Sequence, residues 1–146
     1  MKKQTRSILT PLSVMLLLLP GCAMTHKADK PSIVSKELVK TTKSWDGDRL
    51  PVYPKGQPEV TIRQITIPPG ARLETHFHPV INAGVLLSGE LTVVMVDGKT
   101  LHLKAGDPIV ELVNKLHYGM NEGKVPAEIL VVYAGVVGKQ PTMLKP

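Results

Sequence analysis

The residues with the clearest chemical potential are two histidines, His76 and His78, separated by a single residue. Side chains at positions i and i+2 of a β-strand point to the same face, so a strand here would direct both imidazoles into one space. Neutral imidazoles are ligands for Fe, Mn, Ni, Cu and Zn. Alone, such a pair is as often a stacked or surface pair of histidines as a metal site. A metal site therefore requires further ligands that converge on the pair.

The sequence around the histidines has the pattern of short strands separated by turns. β-Branched and aliphatic residues predominate in the strand-like runs, and Gly, Pro, Asn and Asp occupy the segments between them. Asp97-Gly98, between two apolar runs, is typical of a two-residue hairpin turn. With no convincing helix, the pattern predicts a sandwich or barrel of about eight strands. The predicted strands are Val60–Ile67, Arg72–Phe77, Ala83–Leu87, Glu90–Val96, Thr100–Leu103, Pro108–Leu112, Lys115–Gly119 and Ala127–Ala134.

Two motifs of glycine and histidine carry a resemblance to a known family. The first motif comprises Gly70, His76, His78 and Gly89, and the second comprises Gly106, His117 and Asn121. Their order and spacing resemble those of the cupin superfamily, in particular small single-domain, quercetin-dioxygenase-like cupins. The resemblance covers roughly residues 60 to 134 and implies an all-β fold, the cupin-type jelly-roll β-barrel or double-stranded β-helix.

The resemblance also implies a ligand set. His117 is expected to join His76 and His78 around one divalent transition metal ion (Fe, Mn, Ni, Cu or Zn). Asn82 stands where the first motif has a glutamate. Because an amide oxygen is a weaker ligand than a carboxylate, we expect Asn82, together with Asn121, to surround the ligands rather than to bind the ion. An ion without that carboxylate would keep its full charge and favour an anionic or chelating small molecule.

The second motif departs from the family at two further positions. Leu112 and Asn114 replace the expected proline and glycine. Among nearby acids, Glu74 shares the strand parity of the histidines and is the predicted general base, with a solvated carboxylate at a strand end as the alternative.

Two classes of function follow from these residues. The first is a metal-dependent, dioxygenase-like enzyme that acts on a small chelating substrate. The second is a non-catalytic module that binds a metal or a small ligand, which the motif substitutions favour. Discriminating the two requires knowing whether the metal is needed for ligand binding and turnover.

The N-terminus has the pattern of a secretory signal. A head with Lys2, Lys3 and Arg6 precedes the mainly apolar stretch Ile8–Leu19. The following Leu19-Pro20-Gly21-Cys22 resembles a bacterial lipobox, which implies a lipid anchor at Cys22, the only cysteine. The alternative is a lone cysteine at the end of an ordinary signal peptide or an uncleaved anchor. Ala23 after the cysteine, by resemblance to Gram-negative lipoproteins, favours the outer membrane, facing the periplasm.

The predicted organisation is a signal peptide (1–21), a lipid-anchored tether (22–48) and a β-barrel domain (49–146). Removing residues 1–21, which hold three of the 18 basic and none of the 12 acidic side chains, lowers the net charge from +6 to +3. This modest excess, much of it in the tether, suits a membrane-proximal linker better than a nucleic-acid surface, and we expect no nucleic-acid partner. The family resemblance also implies a homodimer.

Overall fold

Two antiparallel β-sheets face each other in the part of the chain that the computed structural model describes, Lys30 and residues 32–146. The strands are β1 (Pro58–Ile67), β2 (His76–Phe77), β3 (Ile81–Ser88), β4 (Glu90–Met95), β5 (Thr100–Lys104), β6 (Pro108–Val110), β7 (His117–Met120), β8 (Ala127–Val136) and β9 (Met143–Leu144). One sheet has the order β1-β8-β3-β6 and the other the order β5-β4-β7-β2-β9. The predicted all-β fold is confirmed.

Most of the N-terminal predictions concern residues that the structure does not describe. Cys22 and the predicted signal peptide lie outside the described residues. Within the described part of the chain, no helix is long and apolar enough to cross a membrane.

The hydrophobic core lies between the two sheets. Strand β8 shows how the sequence produces it: Ile129, Val131 and Tyr133 are buried, and the residues between them are more exposed. This alternation follows from the two-residue period of a strand. The core cluster contains Ile67, Val80, Leu86, Leu91, Val93, Leu103, Ile109, Ala127, Ile129, Val131 and Tyr133. Aliphatic side chains thus form nearly all of the core.

One strand prediction needs correction, and one observed strand has no predicted counterpart. The strand predicted over Arg72–Phe77 is regular only at His76–Phe77, and Arg72 forms an isolated bridge with Met120. The ladder is interrupted where the carbonyl oxygen of Glu74 accepts a hydrogen bond from the His76 imidazole. Strand β9 was not predicted at all.

The turn between β4 and β5 also differs from the prediction. A two-residue type I′ turn would need positive φ at both Asp97 and Gly98. Only Gly98 has it, with φ +92°. The amide of Gly98 donates to the carbonyl oxygen of Met95, and the amide of Met95 donates to that of Lys99. This is a three-residue loop closed by a left-handed glycine.

The end of the predicted tether contributes to the folded unit. The amide of Trp45 donates to the carbonyl oxygen of Val110 on β6 (2.9 Å), and its indole packs against the core. The ammonium group of Lys115 pairs with Asp46 and Asp48 from the same segment. Residues 44–48 are therefore fastened close to the β6–β7 connection.

Candidate metal centre

The backbone brings three histidines together. His76 on β2 and His117 on β7 are register partners, so their side chains share a face. His78 follows two residues after His76, which puts it on that face too. The three ring centroids are 4.6–5.0 Å apart, and one ligand nitrogen from each residue lies within 4.8 Å of the others. The convergence predicted from the motifs is confirmed.

Each ring is held in one tautomer by a backbone carbonyl. The Nδ1–H groups of His76, His78 and His117 donate to the carbonyl oxygens of Glu74 (2.7 Å), Pro141 (3.0 Å) and Lys115 (2.9 Å), respectively. A carbonyl can only accept, so Nδ1 carries the proton and Nε2 keeps a lone pair. This is the arrangement that metal-binding histidines commonly have.

Burial keeps the imidazoles neutral. Desolvation is the main cause that lowers the pKa of all three rings, and it is reinforced for His78 by the neighbouring His117, so that the pKa of His78 falls to about 3. The three rings are therefore neutral ligands at ordinary pH.

The histidines line a cavity of about 300 Å³ between the two sheets. Most of its other walls are aliphatic and come from both sheets, including Ile65 on β1, Leu91 on β4 and Val131 on β8. Arg63 on β1 is the only cation among the described lining residues, and its guanidinium carbon lies 5.6 Å from the ring centre of Tyr133. The space suits a small molecule with an apolar body and a polar or anionic group.

Buried polar atoms without partners show where a cation fits. Among the described residues, only three buried side-chain polar atoms have no hydrogen-bond partner: Trp45 Nε1, Asn82 Oδ1 and His117 Nε2. Asn82 and His117 both line the cavity. An acceptor oxygen and an imidazole lone pair, each buried and unsatisfied, fit a metal ion or its bound water. The three histidines are the residues that would hold the ion.

One buried carboxylate at this site was not predicted from the sequence. Glu111, directly after β6, lines the cavity, and its Oε2 lies 3.7 Å from Nε2 of His117. Desolvation raises its pKa, while the amide of Leu112 and the indole of Trp45 act in the opposite direction. The available signal was the charged Glu111 inside the predicted apolar strand Pro108–Leu112.

Two other predicted residues, Glu74 and Asn121, make no side-chain hydrogen bond to the imidazoles in the described part of the chain. Glu74 is exposed at the cavity wall, and its proposed role as a base stays a prediction. Asn121 is buried, and its amide bonds to the backbone of Ile67, Gly123 and Val125. Among the described residues, no hydrogen bond links Asn121 to the three histidines. Its contacts fix the loop after β7.

The substitution at Asn114 has a conformational explanation. Asn114 is the only non-glycine residue with positive φ (58°) in the described part of the chain. Asparagine tolerates this left-handed conformation better than most residues. The amide of Asn114 donates to the carbonyl oxygen of His78 (2.8 Å), so the unusual conformation helps to fix the segment that carries a ligand.

Comparison with known proteins agrees with this geometry. Residues 63–133 match the family model described as a cupin domain. This part of the chain, just under half of its 146 residues, is similar to a cupin domain. The matched segment contains all three histidines as well as Asn82 and Glu111. The comparison with curated proteins gives no match.

Solved structures share the fold of the two-sheet domain. The DMSP lyase DddQ from Ruegeria pomeroyi is 21% identical, with a TM-score of 0.52 over 59% of this chain and 43% of the lyase. The oxalate decarboxylase of Lactobacillus farciminis, in a formate complex, is 24% identical, with a TM-score of 0.51 over 58% of this chain and 26% of the decarboxylase. An oxalate oxidase in complex with the substrate analogue glycolate is 23% identical, with a TM-score of 0.50 over 58% of this chain and 45% of the oxidase. The chain therefore spans less than half of each of these proteins.

Proposed function

We propose that the cupin domain is a mononuclear metal enzyme, dioxygenase-like in its chemistry, that acts on a small chelating anion. The observation that carries the proposal is the convergence of three imidazoles, each with its Nε2 lone pair free, in a cavity with room for a small molecule. A divalent ion held there would supply a Lewis acid and a template that binds substrate through two donor atoms.

The residues around the histidines have separate roles in this proposal. The backbone carbonyls of Glu74, Pro141 and Lys115 orient the three ligands. Arg63 supplies a positive charge at the cavity wall for an anionic group. The aliphatic walls exclude water from the remainder of the substrate. Glu74, exposed at the same wall, is the proposed base for a proton of the incoming substrate.

The test begins with the metal. The protein is purified without chelator and its metal content is measured, and oxygen uptake is then followed with catechols, β-diketones, flavonols and thiols. We expect one equivalent of a redox-active metal and turnover of at least one of these classes. A metal-loaded protein without turnover across all of them would contradict the enzyme proposal. The matched variant is Arg63→Gln, which should raise KM for an anionic substrate with little change in kcat.

The second proposed function is a non-catalytic module that binds a metal or a small ligand. The support comes from Glu74. Among the described residues, its carboxylate makes no hydrogen bond that would hold it toward the histidines. The discriminating variant is His76→Ala. If it abolishes metal uptake but leaves ligand affinity unchanged, the metal has no part in ligand binding.

We propose that Cys22 carries a lipid anchor that holds the protein in the bacterial cell envelope, at the outer membrane. The support is the lipobox-like sequence 19–22 and the signal-like segment before it. In a Gram-negative host, labelled palmitate should be incorporated by the wild type and not by Cys22→Ser. As a control, Ala23→Asp should keep the label and move the protein to the inner-membrane fraction. Labelling of Cys22→Ser would contradict the proposal.

A homodimer is the proposed assembly. Val60, Ile62 and Val132 are exposed on the outer face of the four-stranded sheet, and Ile62 and Val132 are register partners. Light scattering should give twice the chain mass, and Ile62→Lys should shift the protein to a monomer if this face is the contact. A monomeric wild type would contradict the proposal.

A further inference from the structure

We infer that Glu111 is a fourth protein ligand of the metal, so that the carboxylate missing at Asn82 is supplied from the second motif instead of the first. This inference rests on the proposed metal site. With Glu111, the ion would be held by three neutral imidazoles and one carboxylate anion instead of by three neutral imidazoles alone.

The distance between Glu111 and His117 suits two ligands of one ion. Donor atoms about 2.1 Å from a metal are roughly 3.0 Å apart at a right angle and roughly 4.2 Å apart when opposite. Glu111 Oε2 and His117 Nε2 are 3.7 Å apart, between these limits and longer than an ordinary hydrogen bond. An ion between the two atoms would reach both with little movement.

The surroundings of Glu111 favour a cation at this place. The side chain is 11% exposed, and a buried carboxylate is costly unless a positive charge compensates it. Among the described residues, the only basic group within 4.0 Å of this carboxylate is the His117 imidazole. The nearby Lys115 is already paired with Asp46 and Asp48. A metal ion would satisfy the carboxylate and the unpartnered His117 Nε2 at once.

The carboxylate is also held in position. Oε2 of Glu111 accepts a hydrogen bond from the amide of Leu112 (3.0 Å), and the amide of Glu111 donates to the carbonyl oxygen of Asn82 (3.0 Å). These contacts leave lone pairs of the carboxylate free for an ion, and they place the acid next to the residue that replaces the family's glutamate.

The experiment compares cobalt(II) binding by the purified full chain and its variants. Affinity is measured by competition with a chromophoric chelator, and the ligand field is read from the visible absorption of the bound ion. Glu111→Gln keeps the shape of the side chain and removes its charge. We expect about 100-fold weaker affinity or more, with a changed visible spectrum, because a ligand is lost. Glu122→Gln is the matched control, since this exposed carboxylate bonds to Thr92 instead, and it should behave as the wild type.

The outcomes separate this inference from the proposed function. If the wild type binds cobalt and Glu111→Gln has the same affinity and spectrum, Glu111 is not a ligand and the three-histidine site stands. If the wild type binds no cobalt, the metal site itself falls. Trp45→Phe keeps the carboxylate and removes an Nε1–H group that has no hydrogen-bond partner, so it should cost less than the roughly 10-fold expected when a hydrogen bond to a ligand is lost. A loss as large as that of Glu111→Gln would show that both variants act through local packing, which would overturn the ligand role.

Discussion

His76 and His117 face each other across the antiparallel pair β2 and β7, with ring centroids 4.6 Å apart. Forty residues separate them in the chain, but the sheet register makes them direct neighbours. The ladder, rather than local sequence, thus determines the distance between these two ligands.

Removal of either imidazole should abolish tight metal binding. In His76→Ala, two histidines remain, and we expect at least a 100-fold loss of affinity for zinc or cobalt. The measurement is a competition titration, with circular dichroism to show that the fold persists. His102→Ala is the control, because His102 is exposed on β5 and bonds to Thr92. Equal affinities of both variants would contradict the assigned ligand set.

The metal-free protein should lose stability on acidification. The pKa of His78 is about 3 in the folded state, mainly through burial, against an ordinary value of 6.5; His117, His76 and Arg63 also disfavour its charge. The unfolded chain therefore binds the additional proton, and stability falls as the pH drops from about 6.5 toward 3. Each pKa unit corresponds to about 1.4 kcal/mol.

The carboxyl group of Glu111 gives stability the opposite pH dependence, because burial raises its pKa. Its contribution is fully present below the ordinary value of 4.5 and declines as the pH rises through the folded-state value. Chemical denaturation at a series of pH values should thus show a larger acid-induced loss in Glu111→Gln than in the wild type. A free energy of unfolding independent of pH between 7 and 4 would contradict the assignment.

Two turn glycines distinguish backbone strain from lack of space. Gly89 and Gly98 both have positive φ, +74° and +92°. A Cβ at Gly89 would lie 2.5 Å from the carbonyl oxygen of Pro126, whereas a Cβ at Gly98 would meet nothing within 4 Å. Gly98→Ala should cost about 1 kcal/mol of unfolding free energy, and Gly89→Ala several times as much. Equal losses in denaturant titrations would show that the close contact is relieved without cost.

Asn114 has a left-handed backbone, so shortening its side chain to glycine should not lower the unfolding free energy as a cavity-creating substitution would. Asn114→Gly should be neutral or slightly stabilising, because glycine adopts positive φ without a steric penalty. Asn114→Ala should cost about 1 kcal/mol. Both keep the amide that donates to His78. The measurement is the free energy of unfolding of both variants and the wild type. An Asn114→Ala variant more stable than the wild type would contradict the conformational explanation.

The C-terminal segment should affect metal affinity although it supplies no ligand. A chain ending at Gln140 loses the Pro141 carbonyl that orients His78 and the pairing of β9 with β2. We expect a loss of about 10–100-fold in affinity. Thr142→Ala removes only the longer contact to the same ring (3.3 Å) and serves as the control. An unchanged affinity of the truncated chain would show that the ring needs no such support.

The ligands could be predicted from the sequence because their positions follow strand parity and motif spacing. His76 and His78 share a face by the two-residue period, and the motifs relate them to His117. Strand β8 follows equally from its alternating apolar residues. These features depend on local pattern or on a recurrent architecture.

The missed features depend on long-range contacts. Glu111 belongs to an apolar run, and only the approach of His117 and Trp45 makes it part of the site. Strand β9 has only two residues, which is too little for a sequence signal, and it exists because β2 offers an edge. The turn at Gly98 was read from a dipeptide whose conformation depends on how the flanking strands pair.

The hydrogen bond between His78 and Pro141 spans 63 residues of sequence. A ribosome makes the imidazole long before its acceptor, so a nascent chain presents the histidine pair while neither the His78 tautomer nor the β9 edge is yet fixed. Metal capture in the final geometry must then follow synthesis of the last strand. Shortened translation products would carry all three histidines and still lack the finished site.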